Sequence, residues 1–213
     1  MQTDDYASYL KIGASDAVTH LGCMAHARRK FIDAQRQQPK GKAGKADVAL
    51  GFIQKLYRIE KLSKDSSVDD RLAARQTQSK PIIDKLKQWL DKALANSPPK
   101  TTLGKAMQYL CNQWPRLIAY LDDGRRPIDN NRAENSIRPF VIGRKNWLFS
   151  NSQAGAHASA NLYSLIETAK ANNLNPYEYL KRIFTELPSA QSVDDIDALL
   201  PWVIANESTV VIT

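Results

Sequence analysis

"SKPIIDKLKQWLDKALANSPPK", residues 79–100, decides how the middle of this chain folds. Ile82, Leu86, Trp89, Leu90 and Leu94 recur at intervals of three and four. That spacing puts them on one side of a helix, whereas a half-buried strand alternates every second residue. Pro81 suits the first turn, where its missing N–H has no intrahelical partner to lose. "NSPPKTT" (96–102) is rich in breakers and reads as a loop.

The same period continues in both directions. Upstream, Asp47 is placed to cap a helix carrying Leu50, Ile53, Leu56 and Tyr57 on one face, and another begins near Ser67 or Asp69 and runs toward Ser79. Downstream, "LGKAMQYLCNQW" is helical, and "PRLIAYLDD" stops at Gly124. Residues 44–124 are therefore expected to form an all-helical block. Before it, "AVTHLGC" (17–23) holds a short β-like run with Val18, Thr19 and Leu21, and "MAHARRKFIDAQRQ" is a helix ending at the loop "PKGKAGKA". After it, Leu162, Leu165, Ile166 and Ala169 share a face of a helix that Asn172 or Asn173 ends. "NPYEYLKRIFTEL" follows, with Pro176 in its first turn and Tyr179, Leu180 and Ile183 facing inward.

The chain has 213 residues and is 43% hydrophobic, enough for a core and one or two domains. Thirty Lys and Arg against 22 Asp and Glu give a net charge of +8, which favours polyanionic partners without proving one. No run reaches the roughly 18–20 apolar residues of a membrane helix, and the N-terminus lacks a signal peptide, so a cytoplasmic location is expected. Cys23 and Cys111 are too few for a disulfide framework.

The charge is concentrated. Arg28, Arg29, Lys30, Arg36, Lys40, Lys42 and Lys45 stand with only Asp33 among them, in a pattern that suits contact with a phosphate backbone. "PIDNNRAENSIRPFVIGRKN" (127–146), with the Arg125-Arg126 pair before it, brings six basic residues together with Asp129 and Glu134. Glu134 has two readings. With Asn131 as N-cap it occupies the third helical position and serves its own helix terminus. Alternatively it is a metal ligand among phosphate-binding arginines, and such a site needs a second carboxylate. Asp4 and Asp5 are candidates, though they equally suit capping of a short helix at "YASYLK". Cys23 and His26 have the spacing of half a zinc site, with no second pair to complete it, and no zinc site is evident. His157 reads as a surface residue.

"GCMAHARRKF", "PIDNNRAENSIRPFVIGRKNWLFS" and "LYSLIETAKANNLNPYEYLKRIFTELP" together resemble the C-terminal two-thirds of transposases of the insertion sequence 66 family. "RLAARQTQSKPIIDKLKQWL" and "LGKAMQYLCNQWPRLIAYLDDGRRP" extend the resemblance over nearly the whole chain. It implies an α/β, predominantly α fold: a truncated ribonuclease H-like core with an all-helical insertion and C-terminal helices. The implied division is partial core at 1–43, insertion at 44–124, core segment with the glutamate at 125–172, and C-terminal element and tail at 173–213.

The resemblance also implies metal-dependent DNA cleavage and strand transfer by an acidic triad of the DDE type. Asp4 and Glu134 would be catalytic and metal-binding, with Mg2+ or Mn2+ as cofactor and DNA as partner. Arg28, Arg29, Lys30, Arg132, Arg138, Arg144 and Lys145 would contact the DNA. Asp5 stands where the family usually has Gly, and Met24 where it has Trp. The family's first aspartate lies upstream of Asp4, so the chain alone is expected to be inactive unless a separately encoded N-terminal part completes it. A non-enzymatic helical DNA-binding or assembly remnant is the alternative; no membrane association is implied, and an oligomer is compatible.

Overall fold

The computed structural model describes residues 1–3, 18–39 and 41–210, with side chains up to Glu207. The described chain forms α1 (Met24–Arg36), α2 (Lys45–Leu62), α3 (Val68–Ala74), α4 (Lys80–Ala95), α5 (Thr102–Asn112) and α6 (Trp114–Ile118). These are followed by α7 (Asn131–Trp147), α8 (Gln153–Ala171), α9 (Pro176–Glu186), α10 (Val193–Ala198) and α11 (Pro201–Val210). The chain divides into two compact units, Met1–Arg132 and Ala133–Thr213, with the boundary inside α7.

This architecture corrects the α/β expectation. Among the described residues there is no sheet, and the sole pairing is an isolated parallel bridge between Gln2 and Leu21. Thr3 N–H donates to Leu21 O at 3.1 Å and Leu21 N–H to Met1 O at 2.8 Å. The β-like run at Val18–Leu21 is short, and Gly22 donates instead to Arg116 O at 2.9 Å, on a helix. From Met24 onward the helical period dominates, so no truncated ribonuclease H-like core is found in the described residues.

In the first unit, α1 lies against α2 and α5, and α4 against α2 and α5. Met24, Ala27, Phe31, Ile53, Leu56, Leu86, Leu90, Met107 and Leu110 are fully buried where these helices meet. Each large apolar side chain buried this way contributes about 1.5–3 kcal/mol relative to exposure. The stripe on α4 is rotated from the sequence reading: Ile83, Leu86, Leu90 and Ala93 are buried, while Ile82, Trp89 and Leu94 flank the core, partly buried.

Helices α3 and α4 are joined without a break by a π turn, Arg75–Ser79. Pro81 just beyond it has no N–H to give to a carbonyl one turn back, and wider i→i+5 bonding accommodates that omission. The second unit has a smaller core of Ala169, Tyr179, Ile183 and Ile204, with Leu165 and Leu174 packed on it. Asn173, at φ 58°, ends α8 in the left-handed region that asparagine tolerates well.

Candidate functional site

The first unit holds the segment leading into α7 by a set of backbone and side-chain bonds. Met24 N–H donates to Ile128 O at 3.1 Å, and Asn130 N–H meets Cys23 Sγ at 3.3 Å. Gln2 Nε2 bridges Gly22 O and Pro127 O at 3.0 and 3.1 Å. Residues 127–131 are thus laid across the first turn of α1. Burial pushes the Cys23 thiol above its usual range. Met24 is completely buried there.

Asp129 organises the start of α7. Its Oδ1 accepts from Asn131 N–H at 3.1 Å, and its Oδ2 accepts from Asn131 Nδ2 at 2.8 Å and from the Tyr57 hydroxyl at 2.7 Å. Burial and the hydrogen bond to the Asp129 carboxylate raise the Tyr57 hydroxyl well above the ordinary tyrosine range, so Tyr57 remains a neutral donor. Ala25, Arg28, Gln54, Tyr57 and Asn131 line an open pocket of about 300 Å3 beside this contact. α7 begins at Asn131 itself, so Glu134 lies one residue further into the helix than the capping reading placed it. Glu134 is half-buried in that first turn, and Asp4 lies outside the described residues.

Pairing sorts the basic residues into two groups. Arg125 grips Asp123 at 2.8 Å, and Arg126 lies near Asp122 and Asp123 while donating to Ala119 O at 2.9 Å. The Arg125 guanidinium and backbone N–H hold the Asp123 carboxyl well below the usual carboxylate range. Arg36 pairs with Asp33 at 3.4 Å. By contrast, Arg28 and Arg29 on α1 and Arg138 and Lys145 on α7 are exposed and make no ion pair with a described carboxylate. Lys30 is exposed with its Nζ 4.6 Å from the centre of the Tyr109 ring. Arg132 and Arg144 are exposed as well.

The second unit carries a feature the sequence reading missed. Phe140, Trp147 and Tyr163 form a triangle with ring centres 5.2 to 5.9 Å apart, packed edge-to-face or tilted. Gly143 makes room for it, since a Cβ there would lie 2.6 Å from Trp147 and 2.8 Å from the Tyr163 hydroxyl. Just past α7, Leu148 takes φ 60°, and Phe149 stands 71% exposed. Trp147, Phe149 and Tyr163 line an open pocket of about 410 Å3 together with Ser150, Asn151, Ser152, Gly155 and Ser159. The available signal was the seven-residue interval from Phe140 to Trp147 and the run "NWLFS" directly after the basic residues.

Residues 1–158 match the family described as "Transposase IS66 family", and residues 164–202 match "IS66 C-terminal element". Similar curated proteins include three from Sinorhizobium fredii (strain NBRC 101917 / NGR234), each named as uncharacterized. Protein y4hP is 32% identical over 215 residues, and y4qI and y4jD are each 31% identical over 209. Each alignment covers 95% of this chain but only 39%, 38% and 40% of the respective relative, so the chain spans about two-fifths of their length. No solved structure matches. No helix among the described residues is long and apolar enough to cross a membrane.

Proposed function

The chain belongs to the IS66 transposase family, and on that premise we propose that it grips insertion-sequence DNA and contributes Glu134 to metal-dependent strand cleavage and transfer. The family match over residues 1–158 carries this reading. The exposed Arg28 and Arg29 of α1 and Arg138 and Lys145 of α7 support it, because they make no ion pair with a described carboxylate while Arg125 and Arg126 are bound to aspartates. Arg28, Arg29, Lys30, Arg132, Arg138, Arg144 and Lys145 hold the backbone, positioning DNA without reading its sequence.

Glu134 with Asp4 would hold Mg2+ or Mn2+, hard cations that take carboxylate oxygens and, when bound, supply Lewis-acid polarisation of the scissile phosphate. Asp129 is a poorer ligand candidate because Tyr57 and Asn131 occupy its oxygens. Its part is to fix the start of the helix that carries Glu134. Asp4 enters on the family resemblance alone.

Duplex-DNA binding across a salt series tests the reading. Affinity falls steeply with salt, and Lys145→Ala lowers the slope of log K against log salt by about 0.9, while Arg125→Ala, whose partner is Asp123, leaves it nearly unchanged. When the N-terminal part of a relative is supplied, Mg2+-dependent strand cleavage is expected, and Glu134→Gln removes it while leaving binding intact. Salt-independent binding, or cleavage that survives Glu134→Gln, would overturn it; binding without cleavage in either form favours a DNA-binding or assembly protein.

A further inference from the structure

We propose that the pocket walled by Trp147, Phe149 and Tyr163 takes an unpaired nucleobase of the bound DNA, stacked on Phe149 and Trp147. The inference rests on the reading of DNA as the partner, and it adds a subsite and the form of DNA that fills it.

Four observations within the second unit point there. First, a bulky residue in the left-handed region is a true backbone outlier, and Leu148 at φ 60° costs energy that the surrounding structure sustains. The turn is fixed from both sides: Leu148 N–H donates to Arg144 O and Phe149 N–H to Trp147 O, each at 2.6 Å. Its effect is to hold a phenylalanine ring in water, 71% exposed.

Second, the other two aromatic lining residues are packed. Trp147 and Tyr163 are braced against Phe140, so their faces are set before anything binds. Pre-set aromatic planes are the sequence-tolerant way to hold a base, because every base offers a π-face.

Third, the rest of the lining is polar. Ser150, Asn151, Ser152 and Ser159 bring hydroxyl and amide groups that suit the polar edges of a base rather than an aliphatic ligand. At about 410 Å3 the space falls within the roughly 300–1,000 Å3 of small-ligand pockets, ample for one planar heterocycle.

Fourth, positive charge sits at the same turn. Arg144 Nε donates to Leu148 O at 3.2 Å, which places the guanidinium beside the strained residue, and the exposed Lys145 follows it in sequence. A cation beside an aromatic pocket is complementary to a nucleotide, with phosphate against charge and base against rings. A purely apolar peptide would leave both the charge and the hydroxyls unanswered. A base paired inside a duplex reaches such a pocket only after unstacking and unpairing at a cost of a few kcal/mol, so the favoured occupant is a base already unpaired, as at a frayed or recessed end.

The test compares three DNAs at fixed salt on the 213-residue chain: a blunt duplex, the same duplex with a short unpaired extension, and that extension with 2-aminopurine as its first unpaired base. The extended duplex is expected to bind about tenfold tighter than the blunt one, a difference of about 1.4 kcal/mol, and 2-aminopurine fluorescence to be quenched on binding. Phe149→Ala, a change at an exposed site outside the packed triangle, removes both the preference and the quenching while blunt-duplex binding persists. Trp147→Phe, which keeps a ring, retains part of the preference.

Equal affinity for blunt and extended DNA would overturn the pocket's role while leaving DNA binding intact. Absence of binding to every DNA at low salt would overturn the underlying reading instead. A Phe149→Ala variant that changes the chain's oligomeric state but not its DNA preference would make the exposed ring a protein contact and refute the inference.

Discussion

Replacing Arg75 with methionine is the sharpest test of what holds the first unit together. The Arg75 side chain is 1% exposed and its salt-bridge partner Glu60 14%. Nε and Nη2 of Arg75 donate to the two Glu60 oxygens at 2.9 and 2.6 Å, and Nη1 donates to Tyr120 O and Asp123 O at 2.8 and 2.7 Å. The guanidinium also lies 4.9 Å from the centre of the Tyr120 ring. One side chain thus ties α2, the π turn and the segment 119–123 into a single unit.

Arg75→Met preserves much of the volume but leaves a nearly buried carboxylate uncompensated and two carbonyls without this donor. Breaking a buried pair on one side costs about 3–5 kcal/mol. That is a large part of the 5–15 kcal/mol typical of a domain. With a urea slope of about 2 kcal/mol/M, the unfolding midpoint is expected to drop by roughly 1.5–2.5 M. The double variant Glu60→Met/Arg75→Met removes the stranded charge and is expected to be more stable than Arg75→Met alone. A midpoint shift below about 0.5 M for the single variant, or strictly additive losses in the double, would refute the assigned role of the pair.

Two further outcomes follow from local geometry. Asp47 Oδ2 accepts from Gly44 N–H at 2.7 Å and from Gln38, and Oδ1 accepts from Gln35, which together hold its carboxyl at about 2. A depressed folded-state pKa means stability that is fully present above the unfolded value near 4 and lost as pH falls toward 2, so Asp47→Asn is expected to flatten that part of a pH-dependent urea series. Gly104→Ala is expected to lower Tm despite alanine's advantage of about 1 kcal/mol inside a helix, because the added Cβ would lie 2.1 Å from Pro98 O; an unchanged or higher Tm would show that the 98–101 loop yields.

Helices were legible in the sequence wherever one face was apolar, and their joints were not. The apolar residues of 80–95 announced a helix, but Ile83 rather than Ile82 reaches the centre of the core. The difference is a rotation of about 100° per residue, which tertiary packing sets and local periodicity leaves loose. The π turn at Arg75–Ser79 was missed because Pro81 read as the first turn of a new helix, whereas the chain runs on through it and the buried Arg75 that opens the turn bonds to Glu60 and two carbonyls from distant segments. Val18 and Thr19 read as strand-forming, yet strand propensity becomes a sheet only when neighbouring strands supply partners. In the described residues Leu21 pairs only with the first residues of the chain, and Gly22 bonds to a helix instead.

Charge shows the same division between composition and arrangement. Counted in sequence, Arg125 and Arg126 are indistinguishable from Arg138 and Lys145, and all four raise the expectation of a polyanionic partner equally. In the fold, the first pair is bound to Asp122 and Asp123, whereas the second pair faces solvent without a described carboxylate. An arginine that must first leave an aspartate gains little from a phosphate, because the exchange replaces one ion pair with another. A cation without a carboxylate partner releases condensed counterions from DNA with no such offset, so it contributes more fully to the salt slope. The seven proposed contacts are therefore unequal among themselves. Arg28, Arg29, Arg138 and Lys145 should dominate the electrostatic grip, while Arg144, bonded to Leu148 O, and Lys30, held over the Tyr109 ring, are already oriented by the protein. Oriented cations lose less rotamer freedom on binding and so favour placement of the strand over strength of attraction. Arg144 sits at the Leu148 turn, and the exposed Phe149 is the next residue of that turn, so the proposed placement and base capture converge on one short stretch of chain.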